Sequence, residues 1–168
     1  MQTKIPFFSW LLATDPKQNR FLQSLRPKRC PCAWCRNWLR GAHGHIPAQV
    51  FSAVRKLGIN PYDTTDLYQQ ATGEHGVLYR TIFWGFGDIV NGSDSWKFDS
   101  IGDWELDAHE LRNWPNYCAV GVSEMGVCRG EAPKRPISGK RLHFQIELRT
   151  VVPWLLEEPM PNAFSESA

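Results

Sequence analysis

The sequence predicts an α+β fold: short N-terminal helices packed on an antiparallel β-sheet of about four to six strands. Three observations predict it. Apolar residues recur at helical spacing up to about residue 75, they alternate one-in-two beyond it, and Gly or Pro punctuates the runs. The chain has 168 residues, which fits one domain spanning 1–168, with a basic helical part at about 15–60, a β-rich part at about 75–156 and a fraying tail at 159–168.

Each element has a local reason. Asp15, Pro16 and Gln18 read as the N-cap, first-turn proline and N3 partner of a first helix, with Phe21, Leu22 and Leu25 as its apolar stripe and Pro27 as its stop. A second helix starts near Cys32 and ends at Gly41, whose missing Cβ suits the left-handed position after a helix. A third begins at Pro47, carries Val50, Phe51, Val54 and Leu57 on one face, and stops at Gly58. Residues 77–90 read as a central strand, apolar on both faces, in which Gly85 and Gly87 leave room for a bulge or a close-packed neighbour. Residues 96–98, 104–106 and 117–123 read as shorter strands, and 130–140 as a loop. Residues 141–149 alternate without error, so Leu142, Phe144, Ile146 and Leu148 should face a core and His143 should face solvent with the polar set.

Composition narrows the function classes. With 42% apolar residues, eight Trp and nine Phe, the chain can bury a real core, which excludes global disorder. No run approaches the roughly 18 apolar residues of a membrane-spanning helix. The N-terminus lacks the features of a secretory signal, so the expected compartment is the cytoplasm. The net charge of +2 hides a division: residues 16–62 hold nine basic and no acidic residues, whereas residues 63–125 hold eleven acidic and three basic ones. The two blocks can neutralise each other in the fold, or the basic third can present a face to a polyanion.

Cys30-Pro31-Cys32-Ala33-Trp34-Cys35 is the stretch richest in chemistry. Cysteines three apart at the start of a helical turn can point the same way and share a tetrahedral zinc ion, and Cys30 can add a third sulfur. His43 or His45 is the expected fourth ligand, with Cys118 and Cys128 as alternatives. Two other readings exist for the same stretch. Cys32 and Cys35 can serve thiol redox chemistry, since Lys28, Arg29, Arg36 and a helix N-terminus all favour a thiolate. The cysteines can also be plain core or surface thiols.

Weaker signals complete the list. Lys28, Arg29, Arg36 and Arg40, interleaved with Trp34 and Trp38, suit phosphates and stacked bases, though two tryptophans on one helical face also suit a core. Asp103, Glu105 and Asp107, with His109 and Glu110 beyond, would share a strand face and can hold a hard cation or stay solvated. His75 lies in a polar turn, and Gly85-Phe86-Gly87 lacks the spacing of a phosphate loop. No nucleophile elbow, P-loop or kinase motif is present. The expected function is a non-catalytic binding protein with a protein partner and a zinc-stabilised, Cys-rich part. A thiol-dependent redox enzyme and a nucleic-acid binder are the alternatives.

Overall fold

The computed structural model describes residues 2–24, 30–92, 118–120, 123–130 and 143–161. Its elements run β1 (Thr3–Phe7), β2 (Trp10–Thr14), α1 (Pro16–Ser24), α2 (Ala33–His45), α3 (Ala48–Lys56), β3 (Asp66–Gly73), β4 (Gly76–Asn91), β5 (Cys118–Val120), β6 (Ser123–Gly130) and β7 (His143–Val152). The strands pair antiparallel in the order β1-β2-β4-β7-β6-β5, and β3 pairs β4 off this path. The α+β class is therefore as the periodicity predicts. Among the described residues, no helix is long and apolar enough to cross a membrane.

Helix α1 starts where the local chemistry puts its start. Asp15 Oδ1 accepts from the backbone N–H of Lys17 at 3.0 Å and of Gln18 at 3.4 Å, so it caps α1. At the end of α3, Gly58 takes a φ of 77°, its N–H bonds Arg55 O and the Ile59 N–H bonds Val54 O, which is a Schellman closure. Two features differ from expectation. Helix α2 runs through Gly41 to His45; a Cβ at Gly41 would collide with the Val152 side chain, so that glycine permits close packing and does not end the helix. On α1 the residue turned fully inward is Asn19, while Phe21 is 60% exposed.

Two buried asparagines dock the helices. Asn19 donates to Thr14 Oγ1 at 2.9 Å and Leu57 O at 2.7 Å, and accepts from the Phe86 N–H at 2.8 Å, joining α1 to β2, β4 and the end of α3. Asn37 donates to Tyr79 Oη and Pro153 O, both at 3.1 Å, and accepts from the Leu155 N–H at 2.7 Å. The Tyr79 hydroxyl in turn donates to Trp34 O at 3.0 Å. Around these nodes Trp38, Val50, Val54, Val77, Tyr79, Phe83, Phe144, Ile146 and Leu148 form the core.

Strands β4 and β7 hold the middle of the sheet, in register from Val77 opposite Val152 to Phe86 opposite His143. Gly85 faces Phe144 across this ladder, where a Cβ would meet the ring, so the close-packed neighbour is a phenyl group. Strand β7 is buried on both faces, contrary to the half-buried reading of residues 141–149. His143, Gln145, Glu147 and Arg149 all lie inside, and His143 packs on the Phe86 ring at 4.8 Å. Charge pairing makes this burial tolerable: Glu147 accepts from Arg149 Nε at 2.9 Å and Nη2 at 2.8 Å, and from Arg80 Nη2 at 2.8 Å.

The β1–β2 hairpin and β3 fall outside the sequence reading. Phe7 pairs directly with Trp10, leaving a two-residue turn in which Phe8 has a φ of 52°. Turns of this kind normally carry Gly or Asn at such a position, so the usual hairpin signal is missing. The strand expected at residues 117–123 corresponds in part to β5, and β6 was not foreseen. Residues 96–98, 104–106, 131–142 and 162–168 lie outside the described residues, while Met160, in the stretch expected to fray, packs on the core.

Two stability predictions follow from these contacts. Glu147→Gln should lower the unfolding free energy by about 3–5 kcal/mol, since two guanidinium groups lose their shared counter-charge; a urea titration showing a loss under about 1 kcal/mol would contradict the buried triad. Burial pushes the Tyr79 phenol up to about 12, against the lowering pull of the Asn37 hydrogen bond and with added push from the Cys35 and Cys32 sulfurs. The folded chain then keeps this proton while the unfolded chain, with its phenol near about 10, loses it. Stability contributed below pH ~10 should fall as pH rises toward ~12, and Tyr79→Phe should remove that part of the alkaline decline in thermal melts.

Candidate metal centre

The three clustered cysteines lie where extended backbone turns into helix α2. Cys32 is the N-cap, with φ −61° and ψ 159°, and its carbonyl accepts the first helical hydrogen bond from the Arg36 N–H at 3.0 Å. Cys35 stands one turn later, and Cys30 reaches back from the preceding segment across Pro31. The Sγ atoms of Cys30, Cys32 and Cys35 all lie within 4.8 Å of one another. A tetrahedral zinc ion with Zn–S bonds of about 2.3 Å holds its sulfurs about 3.8 Å apart, so a small inward movement suffices. Cys30 is exposed, and Cys32 and Cys35 are half-buried.

Electrostatics explains what the cluster lacks. Burial pushes the Cys35 thiol up, and the sulfurs of Cys32 and Cys30 push it further. Three thiolates this close repel one another unless a cation sits between them. Helix α2 has neither a side-chain cap nor an acidic residue in its first turn. Three thiolates around a divalent ion carry one net negative charge, the sign that a helix N-terminus favours.

The surroundings fix the cluster in place. Arg36 donates to Pro31 O at 2.9 Å and pairs with Glu158, whose carbonyl accepts from Trp154 Nε1 at 2.7 Å. Trp34 meets Trp154 edge to face, with centroids 5.4 Å apart. With the Asn37 bonds to Pro153 and Leu155, these contacts lace the stretch after β7 onto the first turns of α2.

The histidines proposed as the fourth ligand are elsewhere. At about 1.5 Å of rise per residue, His43 and His45 stand about 12 and 15 Å along α2 from Cys35. His43 stacks on Tyr62 at 6.1 Å and 8° and meets Phe51 edge to face at 5.9 Å, while His45 Nδ1 lies 2.9 Å from Gly41 O. Cys128 is buried in β6 with Sγ 3.7 Å from Gln145 O, and Cys118 sits opposite Met125 in the β5–β6 ladder. Among the described residues, the cluster is the three cysteines alone.

The other candidate sets separate as well. Trp38 is fully buried against Tyr79 and Trp34 is covered by Trp154, so this pair belongs to packing. Of the cations named for a polyanion, Arg36 pairs with Glu158, Arg40 is exposed, and Lys28 and Arg29 lie outside the described residues, as do Asp103, Glu105, Asp107, His109 and Glu110. His75 is exposed at the β3–β4 turn as expected. Sequence reasoning missed the Arg80–Glu147–Arg149 set, for which Glu and Arg two apart in an alternating strand was the available signal. It also missed the ring cluster around His43, for which no local signal exists. In comparisons with known proteins, no family model, no curated protein and no solved structure matches this chain.

Proposed function

We propose that the protein is a non-catalytic binding protein whose helical layer is stabilised by one zinc ion held by Cys30, Cys32 and Cys35. The convergence of three sulfurs within 4.8 Å at the start of α2 carries this reading. Soft thiolate donors select zinc or copper(I) over hard cations, and zinc suits a tetrahedral site built from cysteine sulfurs. The described cysteines supply three donors, and the fourth position falls to solvent or to a donor outside them. An ion there would pin the segment before α2 to its first turn. Through Arg36, Trp34 and Asn37 it would also secure the stretch after β7. A support of this kind suits a rigid surface for a protein partner.

Elemental analysis of protein purified without added metal should find about one zinc per chain. Chelation should lower the melting temperature by about 5–10 °C, as expected for an ion present at about 100 times its dissociation constant. Cys35→Ser should abolish zinc retention, and acidification should release the ion because its ligands must be thiolates. Less than about a tenth of an equivalent of zinc, with melting indifferent to chelator, overturns the proposal. In that case, rapid alkylation of one cysteine by iodoacetamide at mildly acidic pH would favour the thiol-redox alternative.

A further inference from the structure

Apart from Arg36, the described cations of the basic third have no counter-charge among the described residues. Lys17, Arg20, Arg40, Arg55 and Lys56 are exposed, and none has an ion-pair partner among the described residues. Two of them, Arg55 and Lys56, stand in a groove of about 470 Å³ between the end of α2 and the outer face of α3. That volume is within the roughly 300–1,000 Å³ typical of small-molecule sites. Ile46, Ala48 and Phe51 give the groove an apolar side, while His43, Arg55 and Lys56 give it donors and positive charge; among the described residues no acidic one lines it.

His43, left over from the metal centre, has a defined place here. Its imidazole lies parallel to the Tyr62 ring, and Phe51 meets both rings edge-on, at 5.9 Å from His43 and 4.9 Å from Tyr62. Tyr62 backs the imidazole without lining the groove, whereas His43 and Phe51 line it. A ring held on one side by stacking keeps its orientation and offers its other face to a planar ligand. On α2 the exposed Arg40, with no ion-pair partner among the described residues, is three residues before His43, a helical neighbour that extends the positive rim.

From this arrangement we propose that the groove binds a nucleoside phosphate, free or as one unit of a single strand. The base lies against His43 and Phe51, and the phosphate meets Arg55 and Lys56. Charge selects the anion, and the fixed ring array selects a planar group attached to it. The site is separate from the cysteine cluster and does not depend on the metal.

Titration calorimetry of the full-length protein at low salt, with its metal content unaltered, tests the proposal using AMP, adenosine and inorganic phosphate. AMP should bind at least about tenfold more tightly than adenosine or phosphate, because each probe lacks one contact set. The double variant Arg55→Gln/Lys56→Gln should weaken AMP at least tenfold, while Lys17→Gln/Arg20→Gln, outside the groove, should leave it within about twofold. If the groove variant does not fold, His43→Ala provides the second reading and should erase the preference for AMP over phosphate. Equal binding of AMP and phosphate, equal losses in the two double variants, or no binding of any probe overturns the proposal. Oligothymidylate binding well above thymidine monophosphate identifies a strand as the source, and equal affinities identify the free nucleotide.

Discussion

Two asparagine side chains, each buried without access to solvent, set the register between the helices and the sheet. A buried amide left without partners costs about 1–3 kcal/mol per orphaned group, so each helix has one docking position in which its asparagine is satisfied. Asn19 finds that position against Thr14, Leu57 and Phe86, and Asn37 finds it against Tyr79, Pro153 and Leu155. Apolar packing alone tolerates a helix sliding or rotating slightly; these hydrogen bonds do not. The cysteine cluster inherits its place from Asn37, which stands only two residues beyond Cys35.

The sheet solves a second problem of the same kind. Its central strands are covered on both faces, yet β7 carries Gln145, Glu147 and Arg149 on one of them. One carboxylate between two guanidinium groups supplies opposite charge where water cannot. An apolar replacement would cost no desolvation, so the triad adds little net stability over apolar side chains of similar volume. Arg80 and Arg149 face each other across the ladder, and Glu147 is the group that lets them do so.

The positive charge of the helices separates into two groups. Arg36 is spent on Glu158 and helps hold the chain after β7 beside the cysteines. Arg55 and Lys56, with no counter-charge among the described residues, remain at the groove where His43, Phe51 and Tyr62 assemble. Aromatic rings and unpartnered cations thus do lie side by side among the described residues, but at His43, Phe51, Arg55 and Lys56 and not at Trp34 and Trp38. Trp38 is fully buried and Trp34 packs partly buried on the core, while His43, Phe51 and Tyr62 near the end of α2 stay at the edge.

The sequence by itself determined the features that act within a few residues. Asp15 caps α1, Gly58 closes α3 because its φ is positive, residues 77–90 form the central strand, and the spacing of Cys30, Cys32 and Cys35 brings three sulfurs together. Only the tertiary structure decided the features that depend on distant partners. The β1–β2 hairpin turns without Gly or Asn and is held by the pairing of β2 with β4, which no local signal announces. Gly41 lies mid-helix, where the close approach of Val152 leaves no room for a Cβ, and His143 is buried with its ring against Phe86. His43 and His45 leave the cysteines because α2 continues rigidly past the point where a turn would have folded them back. Backbone dihedrals and short-range hydrogen bonds are written in neighbouring residues, whereas burial and convergence of side chains are properties of the surfaces that meet.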